Sequence, residues 1–380
     1  MNTNSTLGIY IHIPFCRSKC LYCDFYSIPS AKAEAIERYV DALCGHIEYV
    51  GERSSGRLID SVFMGGGTPT VMTSEQFGRI CSALEKAFSF AARCEFTVEA
   101  NPSTFDAETV NALRLMGVNR FSIGMQSANA EELRLLGRTH RAEQVKMAVD
   151  AVNHGGIDNF NLDLMYGIPS QTVESFGCTL DFVSSLSPSH ISVYGLQLEE
   201  GTPLYRRRDK YVFPDEDAER DMNRLAASVL GAFGYNRYEI SNYARDGREC
   251  RHNLRYWLRE EYIGIGAAAH SFFGGERYFS PDSAEEYVDA VNRGDFDAIT
   301  LDRQFIDTDE AVSEYIMLRM RLARGISPVE FEADTGTDFS VYEKRMAEFI
   351  RSGHIAYRDG RYFFTPDGFD VSNYILARVT

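Results

Sequence analysis

The sequence predicts an α/β protein, built on a parallel sheet, that ends in a small α+β tail. Three observations carry that prediction. Short apolar or β-branched runs alternate with longer amphipathic stretches through the first two-thirds of the chain. Polar and glycine-rich residues follow those runs repeatedly, as they do where parallel strands feed functional loops. The length of 380 residues suits a barrel-sized body with an appendage.

The apolar runs fall at 7–13, 59–64, 95–99, 120–124, 159–165 and 190–196. Helical patterns at 31–50, 74–88, 106–116, 142–153 and 173–185 separate them, several opening on a side-chain oxygen that can cap free N–H groups, as at Thr73 and Asp106. Six βα units with right-handed crossovers result, although the pattern leaves open whether the sheet is flat or curled. Beyond residue 200 a helix at 215–233 and a strand at 237–240 are expected. The aromatic and histidine-rich stretch 242–275 lacks periodicity and reads as a functional loop region. Helices at 309–322, 328–335 and 341–352, then strands at 355–358 and 361–364 joined by Asp359-Gly360, resemble a winged-helix module. DNA binding does not follow from that likeness.

Composition excludes several classes. Lys and Arg number 39 against 55 Asp and Glu, a formal charge of −16, which argues against a sequence-independent grip on nucleic acid. Arg206-Arg207-Arg208 is the one dense basic run, and a solvated loop is expected there. Residues 1–8 carry no basic segment followed by an apolar stretch, and no segment approaches the ~20 apolar residues of a membrane span, so a cytoplasmic setting is expected. The eight cysteines are then expected to stay reduced. Cys44, Cys81, Cys94 and Cys178 read as core thiols.

The strongest chemical signal is Cys16-Arg17-Ser18-Lys19-Cys20-Leu21-Tyr22-Cys23. Thiolates spaced C-x3-C-x2-C can wrap a small iron–sulfur cluster and leave one iron of four open. The alternative is a structural zinc with His12 as fourth ligand. Gly65-Gly66-Gly67-Thr68-Pro69 follows the second strand, where absent side chains let the backbone approach a ligand.

Together with Tyr10-Ile11-His12-Ile13-Pro14-Phe15-Cys16, these motifs resemble the radical S-adenosylmethionine (SAM) superfamily. More narrowly, the chain from about Leu7 onward is similar to the branch that holds oxygen-independent coproporphyrinogen III dehydrogenase and the HemW-type heme chaperones. The resemblance implies a partial (β/α)6 barrel over 1–235, a connecting region with a heme-chaperone motif over 236–300 and a winged-helix-like domain over 301–380. It also implies a 4Fe-4S cluster on Cys16, Cys20 and Cys23, and SAM contacts at Tyr10, Gly66, Gly67, Thr68, Glu99, Gln126, Arg138 and Asp163. Two of these residues have rival readings. Arg138 could be a surface arginine at a helix end, and Asp163 could cap the turn before Gly167-Ile168-Pro169.

Within the branch, two features favour the chaperone. The dehydrogenase loop continues to a fourth cysteine where this chain has Phe25, and its long N-terminal extension has no counterpart in the fifteen residues before Cys16. His252-Asn253-Leu254-Arg255-Tyr256-Trp257 matches the chaperones' H-N-x-x-Y-W signature, and 263–270 continues the match. An imidazole can ligate heme iron and aromatic rings can face the macrocycle, which makes His252, Asn253, Tyr256 and Trp257 the expected heme contacts. His252 alone would read as a hydrogen-bonded structural residue; Cys250 and His270 are secondary ligand candidates. The resemblance implies heme as cargo for hemoproteins of the respiratory chain, peripheral membrane contact through those partners, and a homodimer. The competing readings are radical decarboxylation of coproporphyrinogen III and a winged-helix regulator that uses its cluster as a sensor.

Overall fold

Strands covered on both faces read as unbroken apolar runs, and the first run shows why. Leu7, Ile9, Ile11 and Ile13 are fully buried under helices, while Tyr10 and His12 point to the opposite, inner face. In this computed structural model, residues 6–54 and 56–380 are described; the polar residues 1–5 read above lie outside that range. Six parallel strands follow one another in chain order: β1 (Leu7–Ile13), β2 (Leu58–Gly66), β3 (Ser89–Ala100), β4 (Arg120–Gln126), β5 (Phe160–Tyr166) and β6 (His190–Gly195). The crossovers between them carry α1 (Ala33–Arg53), α2 (Ser74–Ala87), α3 (Ala107–Leu115), α4 (Ala142–His154) and α5 (Val173–Ser185). Thr73 and Gln76 cap α2 reciprocally, and Asp106 caps α3 through the Thr109 N–H.

The sheet does not close. Beyond β6 come helix α6 (Glu216–Ala232), as expected at 215–233, and the strands β7 (Asn236–Arg237) and β8 (Asn242–Ala244). Beyond β1 lie β9 (Tyr262–Ile265), β10 (His270–Phe273), β11 (Glu276–Phe279) and β12 (Leu301–Phe305), giving the order β12-β11-β10-β9-β1-β2-β3-β4-β5-β6-β8-β7. It is nevertheless curled, because Tyr10 of β1 and His190 of β6 line the same cavity. A partial barrel results, as the resemblance implied.

The stretch 242–275, expected as loop, instead forms β8, helix α7 (Arg251–Trp257), β9 and β10. Its strands are too short to show a period, and β9 is selected by the free edge of β1, with Ile9 opposite Ile263. Of the strand expected at 237–240, only Arg237 joins the sheet. The Arg237 guanidinium folds back onto the carbonyls of Glu239 and Ile240 and the chain bends there. Cys178 is exposed rather than buried, because Phe176, Thr179, Leu180 and Val183 form the inner face of α5.

The tail has its own core. Phe331 of α9 (Pro328–Thr335) sits fully buried among Tyr315 of α8 (Thr308–Arg319), Tyr342 of α10 (Ser340–Arg351) and Phe339, the residue before α10. The hairpin of β13 (Ile355–Arg358) and β14 (Arg361–Phe364) turns at Asp359 and Gly360, both at positive φ (52° and 76°), as a two-residue turn requires. No helix among the described residues is long and apolar enough to cross a membrane.

Candidate functional site

The loop after β1 carries all three clustered thiols. Phe15–Cys16 pairs in parallel with Ile28–Pro29. The Leu21 N–H donates to the Leu136 carbonyl at 3.0 Å, and the Leu204 N–H donates to the Leu21 carbonyl at 2.8 Å. Leu21 and Tyr22 pack on an apolar cluster that includes Leu136, Met165 and Leu204, so the loop is anchored at its ends and its middle. Cys16, Cys20 and Cys23 line one cavity of about 180 Å³. Burial pushes the Cys16 thiol up and the Cys23 thiol up to about 11, a cost that bonding to a metal centre would offset. Arg138 Nη1 donates to Cys20 Sγ at 3.6 Å, and Thr68 Oγ1 lies 3.5 Å from Cys16 Sγ.

Among the described residues no three Cys, His, Asp or Glu side chains converge as a single ion would need. A four-iron cluster asks instead for thiols spread around one wall, which this loop provides. His12, the zinc alternative's fourth ligand, is already engaged on both nitrogens. Nδ1 lies 3.0 Å from the Tyr10 hydroxyl, Nε2 lies 3.0 Å from the Tyr26 carbonyl, and burial holds the ring's pKa below its ordinary value.

The glycines meet this loop from β2. The Gly67 N–H donates to the Ile13 carbonyl and the Thr68 N–H to the Phe15 carbonyl, both at 2.8 Å. A Cβ on Gly67 would sit 2.7 Å from the carbonyl oxygens of Ile13 and Phe15, while Gly66 holds φ +100° against the His12 ring. Side chains are therefore excluded where the backbone fronts the cavity. The Gly66 N–H donates to Glu99 Oε2 at 3.0 Å. Burial, and next the charge of Asp163, push the Glu99 carboxyl up to about 8. Asp163 accepts from Asn161 Nδ2 at 2.7 Å and from Ser122 Oγ at 3.4 Å; these bonds hold it in the cavity wall rather than at the following turn. Arg138 is likewise no surface arginine. Its Nη2 donates to the Gly124 carbonyl at 2.5 Å, and its buried Nε has no partner, as expected of a residue placed for an anionic ligand. Gln126 ends β4 at φ +67°, a strained conformation that turns its side chain toward the same cavity.

A deeper chamber of about 460 Å³ shares Tyr22, Phe25, Glu99, Ser122, Gln126 and Asp163 with the cysteine cavity, so the two are continuous. Tyr10 lines this inner half, and so do His252, Asn253 and Tyr256 of α7. The His252 ring is 1% exposed and closed on both sides, with Nδ1 3.0 Å from Ser61 Oγ and Nε2 2.9 Å from the Tyr256 hydroxyl. Burial lowers its pKa to about 3, so the imidazole is neutral. Trp257 does not line the chamber. Cys250 is buried with its thiol on Glu95, and His270 is an exposed residue of β10 stacked on Phe279. Among the chamber residues that the sequence reading missed are Arg120, Asn161 and His190. Alternation along β4 was the available signal, since Phe121, Ile123 and Met125 face the helices and leave Arg120 to face inward.

A site of three loop thiols beneath a glycine-lined strand end, on an open six-stranded barrel, defines the class, and known proteins agree. The radical SAM superfamily matches residues 10–183, and the HemN C-terminal domain matches 306–371. A cluster-and-SAM cofactor pair comes with that superfamily. The heme chaperone HemW of Bacillus subtilis (strain 168) is 31% identical, covering 97% of each chain. That of Escherichia coli (strain K12) is 36% identical, covering 92% of this chain and 91% of its own. Coproporphyrinogen III oxidase (HemN) of Escherichia coli superposes with a TM-score of 0.87 over 99% of this chain and 90% of its own, at 23% identity, a likeness of fold. The chain belongs to the HemW heme chaperone family of the radical SAM superfamily.

Proposed function

We propose that the protein is a heme chaperone that holds a 4Fe-4S cluster on Cys16, Cys20 and Cys23, holds SAM beside it, and carries heme for delivery to hemoproteins. Hemoproteins of the respiratory chain are the proposed recipients, reached from the cytoplasm by peripheral membrane contact through those partners, with a homodimer as the working assembly. The observation that carries this reading is the continuity of the cysteine cavity with the chamber under α7, within a family of heme chaperones.

A bound cluster with an open iron supplies a coordination position and an electron. Around it, Gly66, Gly67 and Thr68 offer backbone to the methionine end of SAM. Arg138 offers its free Nε to the carboxylate, Glu99 offers its carboxyl to the ribose, and Tyr10, Gln126 and Asp163 complete the wall. The proposed heme contacts are His252, Asn253 and Tyr256, with Trp257 retained by the motif alone. For His252 to ligate iron through Nε2, the Tyr256 hydroxyl must first let go.

The runner-up, oxidative decarboxylation of coproporphyrinogen III, gains support from the shared HemN fold. Anaerobic incubation of the reconstituted protein with coproporphyrinogen III, SAM and a reductant decides between them. No protoporphyrinogen IX is expected, and turnover would overturn the chaperone reading. Cys20→Ser should abolish the cluster's visible absorption and most bound iron; retention of both would contradict ligation by the three thiols.

A further inference from the structure

Arg120 opens β4 at the floor of the chamber and is 1% exposed. Burying a guanidinium is costly unless its donors are met, and here they are not. Nε is fully shut from solvent without a partner, and among the described residues the side chain makes no hydrogen bond and no ion pair. The nearest acidic groups are committed elsewhere. Glu95 Oε1 accepts from the backbone N–H groups of Arg251 and His252 and from Cys250 Sγ, holding the start of α7, while Asp163 takes Asn161 and Ser122. His190 is closed by Asn161 Oδ1 at 2.7 Å and by the Tyr238 hydroxyl at 2.8 Å. Beside Arg120 in the ladder, Thr97 leaves a second orphan, its buried Oγ1. The floor thus keeps a planar fork of donors facing the chamber, with no acceptor from the protein on it.

We propose that the chamber floor is a carboxylate-binding site anchored by Arg120, and that it takes a propionate arm of the carried tetrapyrrole. The assignment rests on the heme-carriage reading and adds to it the group that selects the cargo by charge. A guanidinium fork matches a carboxylate with two parallel hydrogen bonds, and in a buried site such a pair strongly favours the ligand that carries the charge. His252 and Tyr256 line the same chamber, so ring and arm would be held from two walls.

The test titrates the cluster-reconstituted full chain with zinc protoporphyrin IX and with its dimethyl ester, both delivered from the same detergent and followed by porphyrin fluorescence. The wild type is expected to hold the free acid about tenfold more tightly than the ester. Arg120→Gln should bring the acid down to the ester's affinity and leave the ester unchanged, and Arg120→Lys should restore part of the difference. Equal wild-type affinity for acid and ester, or an undiminished acid affinity in Arg120→Gln, overturns the site while leaving heme carriage standing. Binding of neither porphyrin overturns heme carriage, and the proposed site with it. The wild-type comparison of acid with ester needs no variant, so a misfolded Arg120→Gln does not shield the proposal.

Discussion

Glu99 is held in a place that disfavours its charge, and this has a measurable consequence. Its carboxyl is raised to about 8, by burial first, so in the cofactor-free protein its contribution to stability is full below the unfolded value and is lost as pH rises through about 8. Glu99→Gln should therefore melt higher than the wild type, by a margin that grows from pH 5 to pH 8 at roughly 1.4 kcal/mol per pH unit or less, then levels off. Thermal denaturation of both proteins across that range checks it, and a margin independent of pH would refute it. The Tyr256 hydroxyl, 2.9 Å from His252 Nε2, gives the second prediction at this scale. If Nε2 is the iron ligand, Tyr256→Phe removes the bond that must break, and heme should bind several-fold faster, on the order of the ~1 kcal/mol net value of such a bond. Stopped-flow absorbance measures it; unchanged or slower binding would refute release of Nε2 from the Tyr256 hydroxyl as the step that limits binding.

At the scale of elements, the cysteine loop and the glycine strand end act as one unit, because the Gly67 and Thr68 N–H groups bond the chain between Ile13 and Cys16. Gly67→Ala forces a Cβ to within 2.7 Å of two carbonyl oxygens, so the two segments must separate. A loss of about 1–3 kcal/mol in stability and at least tenfold in SAM affinity is expected by equilibrium dialysis. Gly78→Ala in α2, where the new methyl meets only Met116 at 3.6 Å, should leave SAM affinity unchanged and raise stability by up to about 1 kcal/mol. The crossover and tail helices and the parallel strands were legible because each is long, capped or continuously apolar, whereas the short helix α7 was not. The strands β8 to β12 were not, since three to five residues carry too little pattern and long-range pairing selects them.

For the whole molecule, two cores imply two separable losses. Phe331, fully buried at the centre of the tail, is packed apart from the barrel core. Phe331→Ala should cost about 3–5 kcal/mol within the tail and leave iron content and cluster absorption unchanged. Differential scanning calorimetry with iron analysis checks this, and loss of the cluster would show that the tail supports the barrel. The tail meets the barrel through Arg224, which pairs with Asp367 and Asp370, and through the pairing of Glu239 with Leu322.

The sequence by itself determined the cysteine loop, the glycine strand end, the six βα units and the wing, because each is a local pattern of spacing, capping or turn chemistry. It also marked Glu99, Arg138 and Asp163 as residues of interest, though not which way they point. Only the tertiary structure decided that Asp163 and Arg138 face the cavity, that His252 is sealed by Ser61 and Tyr256, and that Arg120 lies unpaired on the same chamber's wall. The physical reason is distance along the chain. Pairing of β9 with β1, the ion pair of Arg255 with Asp60 and the grip of Glu95 on the start of α7 carry that helix across the mouth of the open barrel, and no local signal encodes where it lands.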